Sequence, residues 1–376
     1  MLLNISHTFL QNYWWFIISL NASMLVLLMF VQGGQSFIFT LGDTENRKSM
    51  IINTMGRKWE STFTTLVTFG GAFFASFPLF YAVSFGGAYW IWMIILFSFV
   101  IQAIAYEYRS KPSNVLGKKT FEVFLLVNGS LAPFLIGTVV ATFFTGAHFS
   151  LDQLNMSKWD TPWHGLDAIW SVRNISLGLA VLFLTRLLGL MYIIYAVDDE
   201  KLLTEARKKI RINLVPFLAG FLYFMISLFL AEGYAVDPAS GRVFMEEFKY
   251  LHNFLEMPVL LVMFLAGTLS VLYGIYRSVY IKKNDPVWYT GAGTIMVVLS
   301  LFLIVGYNNT AFYPSVTDLQ SSLTIRNASS SQFTLTVMFY VSFIIPIVVA
   351  YTWHAWREIN RHRISEKEIS GEGHSY

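Results

Sequence analysis

The 376-residue chain contains no cysteine. That excludes disulfides, thiolate metal sites and cysteine nucleophiles. Charge is also scarce: Asp, Glu, Lys and Arg make up 13% of the residues, about half the share of an ordinary soluble domain. The net charge is only +3, which gives no reason to expect nucleic acid as a partner. Nucleotide-binding glycine motifs, H-E-x-x-H and C-x-x-C-H are all missing. The histidines, His7, His148, His164, His252, His354, His362 and His374, fall in connections, tails or segment ends. None occupies the middle of an apolar segment, so the chain shows no equipment for ligating haem at depth in a membrane. No linker rich in Pro, Gly or Ser divides it, and no repeat is evident. The reading is one polytopic domain over 1–376 with a short cytoplasmic tail, 357–376.

Apolar length is what the chain has instead. Hydrophobic residues make up 55% of it and its mean hydropathy is +0.54. Nine segments are each near the roughly 20 residues that cross a hydrocarbon core as a helix. They are Tyr13–Thr40, Thr62–Ser84, Gly87–Tyr106, Thr120–Gly146, Asn174–Val197, Asn213–Tyr234, Met257–Tyr276, Thr290–Tyr307 and Thr334–Trp356. Backbone in lipid must satisfy its own hydrogen bonds, and these continuous runs lack the alternation of a barrel, so the expected fold is all-α. Lys and Arg collect in the odd-numbered connections, as in Arg47, Lys48, Arg57 and Lys58 or Lys201, Arg207, Lys208, Lys209 and Arg211. The positive-inside rule then puts the N-terminus outside and the C-terminus in the cytoplasm. The first segment lacks a basic region before it and reads as a retained helix. Aromatics, 17% of the chain, cluster near segment ends as an interfacial belt.

Polar groups inside a bilayer are costly and are usually functional or paired. Gln32 and Gln35 interrupt the first segment, and helix-to-helix hydrogen bonding is their ordinary use. Glu60 precedes the second segment, either as a surface carboxylate near Arg57 and Lys58 or as a buried group. Glu107 ends the third, within reach of Arg109 and Lys111. Arg186 lies well inside the fifth with no carboxylate one turn away, so its partner comes from another helix, a lipid, a ligand or another chain. Glu232 sits near the outer end of the sixth.

Several stretches resemble subunit II of the cytochrome bd quinol oxidases. They begin with Asp43-Thr44-Glu45, Ile52-Asn53 and Trp59-Glu60, and are strongest from Gly70 through Ala82. They continue with Glu107-Tyr108-Arg109-Ser110-Lys111, Tyr313-Pro314, Ser322-Leu323-Thr324-Ile325, Asn327 to Ser331 and the terminal His374-Ser375-Tyr376. The resemblance implies two four-helix bundles plus a peripheral helix. It implies a haem-free subunit, beside a subunit I carrying haem b and haem d, in a heterodimer that oxidises quinol and reduces dioxygen to water. A small accessory subunit is a further possible partner. By similarity Glu107 and Tyr376 lie near the cytoplasmic mouth of a proton path, with Glu60 further along it. The chain also departs from the family. Where many relatives read Asp-Gly-Phe-Asp it has Gln32-Gly33-Gly34-Gln35, whose amides cannot carry a proton. Where they read His-Trp-Asp it has Lys58-Trp59-Glu60, and a common tryptophan is replaced around Thr65.

Gln32, Gln35, Trp59 and Arg186 are the candidate intramembrane polar contacts, and two other readings fit: a secondary transporter with Gln32, Gln35 and Arg186 lining a substrate site, and a scaffold without a proton role. The charge pattern generates a direct test of topology. Alkaline phosphatase fused within 147–173 is expected to be active, and the same fusion after Trp356 inactive; the reverse pair would invert the assigned orientation.

Overall fold

A computed structural model describes residues 5–361 and 363–364. The chain folds as helices linked by short connections, with two small hairpins at one end. α1 (His7–Leu28) starts on Ser6, whose hydroxyl accepts the Phe9 N–H. A break at Met29 leads into α2 (Phe30–Gln35), and α3 (Ile38–Leu41) closes the crossing. α4 (Glu45–Gly56), capped by Thr44, precedes α5 (Trp59–Ser76). After α5 come α6 (Pro78–Phe80), a π-helical stretch over Tyr81–Gly87 and α7 (Tyr89–Tyr108). α8 (Lys118–Thr145), α9 (Val172–Ala196) and α10 (Glu200–Phe229) follow. A short α11 (Lys249–Glu256) leads to α12 (Pro258–Tyr276), α13 (Pro286–Gly306), α14 (Gln332–Ser342) and α15 (Ile345–Ile359). Among the described residues eight helices or helix pairs are long and apolar enough to cross a membrane. A ninth crossing results if the sharply bent pair is counted as one span. The all-α membrane fold expected from the apolar segments is the fold observed.

Besides the first, two more segments read as continuous are broken. The second, Thr62–Ser84, ends as α5 at Ser76, and the chain turns by 120° at Phe77. Pro78 supplies the reason: it has no N–H to donate, and it forces the preceding residue out of the helical region. Phe77 accordingly sits at φ −133°, ψ 66°. The last segment breaks between Ser342 and Ile345, just before Pro346. α15 has no buried residue, so it stands at the edge of the molecule.

Close helix approaches come from glycine. α2 lies between α8 and α9 with almost no space to spare. A Cβ on Gly33 would fall 1.8 Å from the Thr185 carbonyl oxygen, and one on Gly189 2.1 Å from the Gly34 nitrogen. On the other side a Cβ on Gly129 would fall 2.5 Å from the Gln32 carbonyl oxygen. Gly137 and Gly178 bring α8 onto α9, and Gly267 and Gly293 bring α12 onto α13 in the same way. Lipid offers helices no hydrophobic drive to associate, so such backbone contact is how they gain packing energy.

The end remote from the basic connections is filled with aromatic rings. Trp15, Phe73, Phe77, Phe80, Phe143 and Phe312 pack together, with centroid separations down to 4.2 Å for Phe73 and Phe80. Above them the even-numbered connections interlock. The hairpin of β1 (Phe149–Leu151) and β2 (Ser157–Trp159) is joined to the 308–331 connection through Ala147 and Ser315. The hairpin of β3 (Gly233–Val236) and β4 (Val243–Glu246) is joined to it through Ala235 and Thr310. The start of the chain belongs to this end: His7 Nε2 lies 3.1 Å from the Ser330 carbonyl oxygen and Gln11 Nε2 donates to Ser329 Oγ at 2.7 Å. The last described residues belong to the opposite end, where Arg363 donates to the Ile194 and Tyr195 carbonyls and Ile364 pairs with Val197.

Replacing Gly189 by Leu places a side chain where the α2 backbone already lies. It is expected to destabilise the subunit by about 1–3 kcal/mol or more, read as a lowered thermal midpoint in detergent. Gly71→Leu on α5, where a Cβ meets nothing within 4 Å, is the control and is expected to leave the midpoint within about 0.5 kcal/mol of wild type.

Candidate functional site

The glycines that let α2 approach α8 also bring Gln32 and Gln35 against two other helices. Gln32 Nε2 donates to Gln102 Oε1 of α7 at 3.2 Å, and Gln102 Nε2 donates to Gln35 Oε1 at 2.9 Å. Gln35 Nε2 donates to Asn128 Oδ1 of α8 at 2.7 Å, and Asn128 Nδ2 to Ser98 Oγ at 3.3 Å. The Tyr106 hydroxyl donates to Gln35 Oε1 at 2.9 Å. The three glutamines and Asn128 are fully buried. An amide can pass a hydrogen bond along but does not take up a proton at neutral pH, and this network locks the helices together. Trp59 joins it at one remove, stacking on Tyr106 with ring centroids 6.0 Å apart.

Toward the basic end the neutral chain gives way to ions. Arg109, at the end of α7, donates from Nη2 to Glu122 Oε1 of α8 at 2.8 Å and from Nε at 3.2 Å. Both side chains are only 2% exposed. Lys48 of α4 reaches the other Glu122 oxygen at 3.4 Å and Glu45 at 2.9 Å, and Glu45 approaches Arg109 at 3.8 Å. Three helix ends are thus clamped by two cations and two carboxylates. Further around the rim Arg47 bridges Asp43 and Asp199, the N-cap of α10. The Lys201 ammonium, then Arg47, holds the Asp43 carboxyl down at about 2. Lys58 is buried beneath Trp356, its ammonium 4.6 Å from the ring centre and without a hydrogen-bond acceptor among the described residues.

The residues singled out from the sequence divide accordingly. Gln32, Gln35 and Trp59 meet around Tyr106. Arg186 finds rings: its guanidinium lies 4.5 Å from the centre of Phe37 and 5.7 Å from that of Phe183. Its Nε has no acceptor among the described residues. Glu107 is exposed and paired with Lys111 one turn on. Glu60 is exposed on the outer face of α5, and Glu232 is exposed beyond α10. Tyr376 lies outside the described residues. Sequence reasoning missed Glu122, Gln102 and Asn128. The signal was present, since Glu122, Leu125, Asn128 and Gly129 share one face of α8 at helical spacing.

None of the described histidines is buried. His7 and His164 lie within hydrogen-bonding distance of backbone carbonyls, His252 lies 3.1 Å from Glu246 Oε1, and His148 and His354 stand exposed. Among the described residues no three His, Cys, Asp or Glu side chains gather as a metal site.

Fold and site together define a polytopic helical membrane protein with an amide-locked helix contact and a cluster of ions at its basic rim. The family model for cytochrome bd terminal oxidase subunit II matches residues 10–359. The chain therefore belongs to that family. It is 24% identical to cytochrome bd-I ubiquinol oxidase subunit 2 of Escherichia coli, over 99% of both chains. It is 27% identical to cytochrome bd ubiquinol oxidase subunit 2 of Bacillus subtilis, over 94% of this chain and 97% of that one. The structure of bd oxidase from Geobacillus thermodenitrificans superposes with a TM-score of 0.66 at 14% identity, covering 93% of this chain and 98% of the other.

The ion cluster yields a quantitative expectation. Glu122→Gln leaves Arg109 buried with a weakened partner and is expected to destabilise the subunit by about 3–5 kcal/mol, measured by thermal unfolding in detergent. Glu45→Gln, at the exposed edge of the cluster, is expected to cost less than about 1 kcal/mol.

Proposed function

We propose that the chain is the haem-free half of a quinol-oxidising, dioxygen-reducing heterodimer in a bacterial cytoplasmic membrane, with its N-terminus outside. A subunit I holding haem b and haem d, and binding the quinol, completes it, with the two-bundle arrangement as part of the same proposal. Membership of the family supports this reading, as do the described histidines, none of which is buried. The chain contributes the subunit boundary and a proton path through Glu107, Glu60 and Tyr376.

The observation that carries this is the outward face of α5. α10 and α12 turn large apolar residues outward, such as Ile212, Val215, Leu222 and Ile226, or Val259, Val262, Leu265 and Leu269. α5 instead exposes Glu60, Thr64, Thr68 and Gly71 beside Val67 and Phe74. A carboxylate and a flat, small-residue face are poorly suited to lipid and well suited to another helix. The interior offers no competing route for protons, because Gln32, Gln35, Gln102 and Asn128 cannot ionise. A path along the subunit boundary accommodates both Glu107 and Glu60, which face away from the core of their own chain. Dioxygen reduction consumes protons at a buried site, so carboxylates leading there have chemical work to do.

The scaffold reading has one observation in its favour, the Glu107–Lys111 surface pair. The transporter reading loses ground because the glycines of α2 are filled by neighbouring backbone and its amides by each other. In the intact complex Glu60→Gln is expected to lower oxidase turnover by on the order of a hundredfold, with haem content unchanged. Unchanged turnover would establish the scaffold role.

A further inference from the structure

α10 packs on α9 and α12 packs on α13, and the two inner helices pack on each other. Between α10 and α12 this leaves a slot of ≈ 140 Å³. Phe217 and Leu218 line one wall and Val271 the other, and Leu184 and Val298 form the back. Leu222 and Leu272 stand exposed at its mouth. An apolar cavity of about this size accepts a hydrocarbon ligand. The slot's mouth opens between the exposed Leu222 and Leu272, on the side that faces the bilayer. On the aromatic side Phe221, Phe264 and Phe254 stack across it, with centroids 6.4 and 5.1 Å apart. On the basic side Arg207 ties α10 to the turn after α12, donating to the Lys282 carbonyl at 3.2 Å and to Asn284 Oδ1 at 2.9 Å. The only hydroxyls lining the slot, on Thr268 and Thr294, donate to carbonyls in their own helices. A polar ring would find no free donor there, whereas a polymethylene chain needs none.

The basic end of the slot carries an excess of positive charge. Arg277 is neutralised by Asp285 through two bonds of 2.8 Å, and Lys208 by Glu205. Arg211, Lys282 and Lys283 are exposed and make no ion pair among the described residues. Arg211 lies 6.0 Å over the Tyr280 ring, which brings the cations of both helices to one rim. Arg211 and Leu218 are seven residues apart on α10, about 10 Å along its axis. A phosphate held at Arg211 is therefore placed to send an acyl chain directly down into the slot. Basic pockets between membrane helices bind anionic head groups for this reason.

We propose that an anionic phospholipid docks between α10 and α12, its phosphate on Arg211, Lys282 and Lys283 and one acyl chain between Leu218 and Val271. The proposal rests on the membrane fold alone and not on the proton path, so failure of one leaves the other standing. The test uses the whole oxidase purified in mild detergent, titrated with dioleoyl phosphatidylglycerol and read by native mass spectrometry. Substituting Arg211→Gln, Lys282→Gln and Lys283→Gln is expected to weaken binding about fivefold per charge removed. Leu218→Trp, which fills the slot without touching the charges, is expected to lower occupancy independently, and dioleoyl phosphatidylcholine is expected to bind wild type no better than the charge variant binds phosphatidylglycerol. Wild-type retention of phosphatidylglycerol by both variants would overturn the proposal. Release of a quinone, with no loss of phospholipid, from the Leu218→Trp complex would overturn it equally.

Discussion

Contact between bare backbones of α2, α8 and α9 is the constraint on which the rest of this subunit depends. Gly33, Gly34, Gly129 and Gly189 leave less space than a single methyl group would fill. Because α2 is held so closely, Gln32 and Gln35 have no access to water and meet Gln102 and Asn128 instead. Because those amides meet, α7 is fixed to α2 and α8. Trp59 then rests on Tyr106, and α5 is set with its small-residue face outward. The sequence of causes runs from missing side chains to polar pairing to the presentation of a surface.

Polar groups are graded along α2, α7 and α8. Where these helices meet, the deep contacts are made by uncharged amides, whereas the cations Arg186 and Lys58 lie against rings. Toward the basic rim Glu122, Arg109, Lys48 and Glu45 close on each other as ions. Amides rather than acids at Gln32 and Gln35 keep charge out of a place where burying it is costly. Glu60 and Glu107 stand on the outer faces, where the proposed function seats the partner subunit.

The architecture was legible in the sequence because the membrane enforces it. Apolar length marks the crossings, and the alternation of Lys and Arg gives the sidedness expected of them. Glu107 could be read as either a surface pair or a relay, and its contact with Lys111 follows simply from spacing on a helix. What could not be read depends on which helices become neighbours. Glu122 stands beside Lys118 and Lys119 in the sequence, and only the packing of α7 on α8 brings Arg109 to it. Arg186 has no acidic partner in the sequence because its partners are rings, and a ring carries no formal charge to search for. The break at Phe77 was written in Pro78, but the uninterrupted hydropathy around it hid the turn.

The cap of interlocked connections has a consequence for biosynthesis. His7 and Gln11 are bound by residues near 330, more than three hundred positions later in the chain. α1 therefore waits while all the later helices up to α13 are made before its end at the aromatic cap is secured. Contacts so distant in sequence form slowly, since a long loop must close before they bring any return. During that interval α1 is held chiefly by lipid and by whichever helices have already arrived. A chain stopped short of its final connection would carry an unfastened leading helix, which gives a membrane quality-control protease a physical means of telling an incomplete subunit from a finished one.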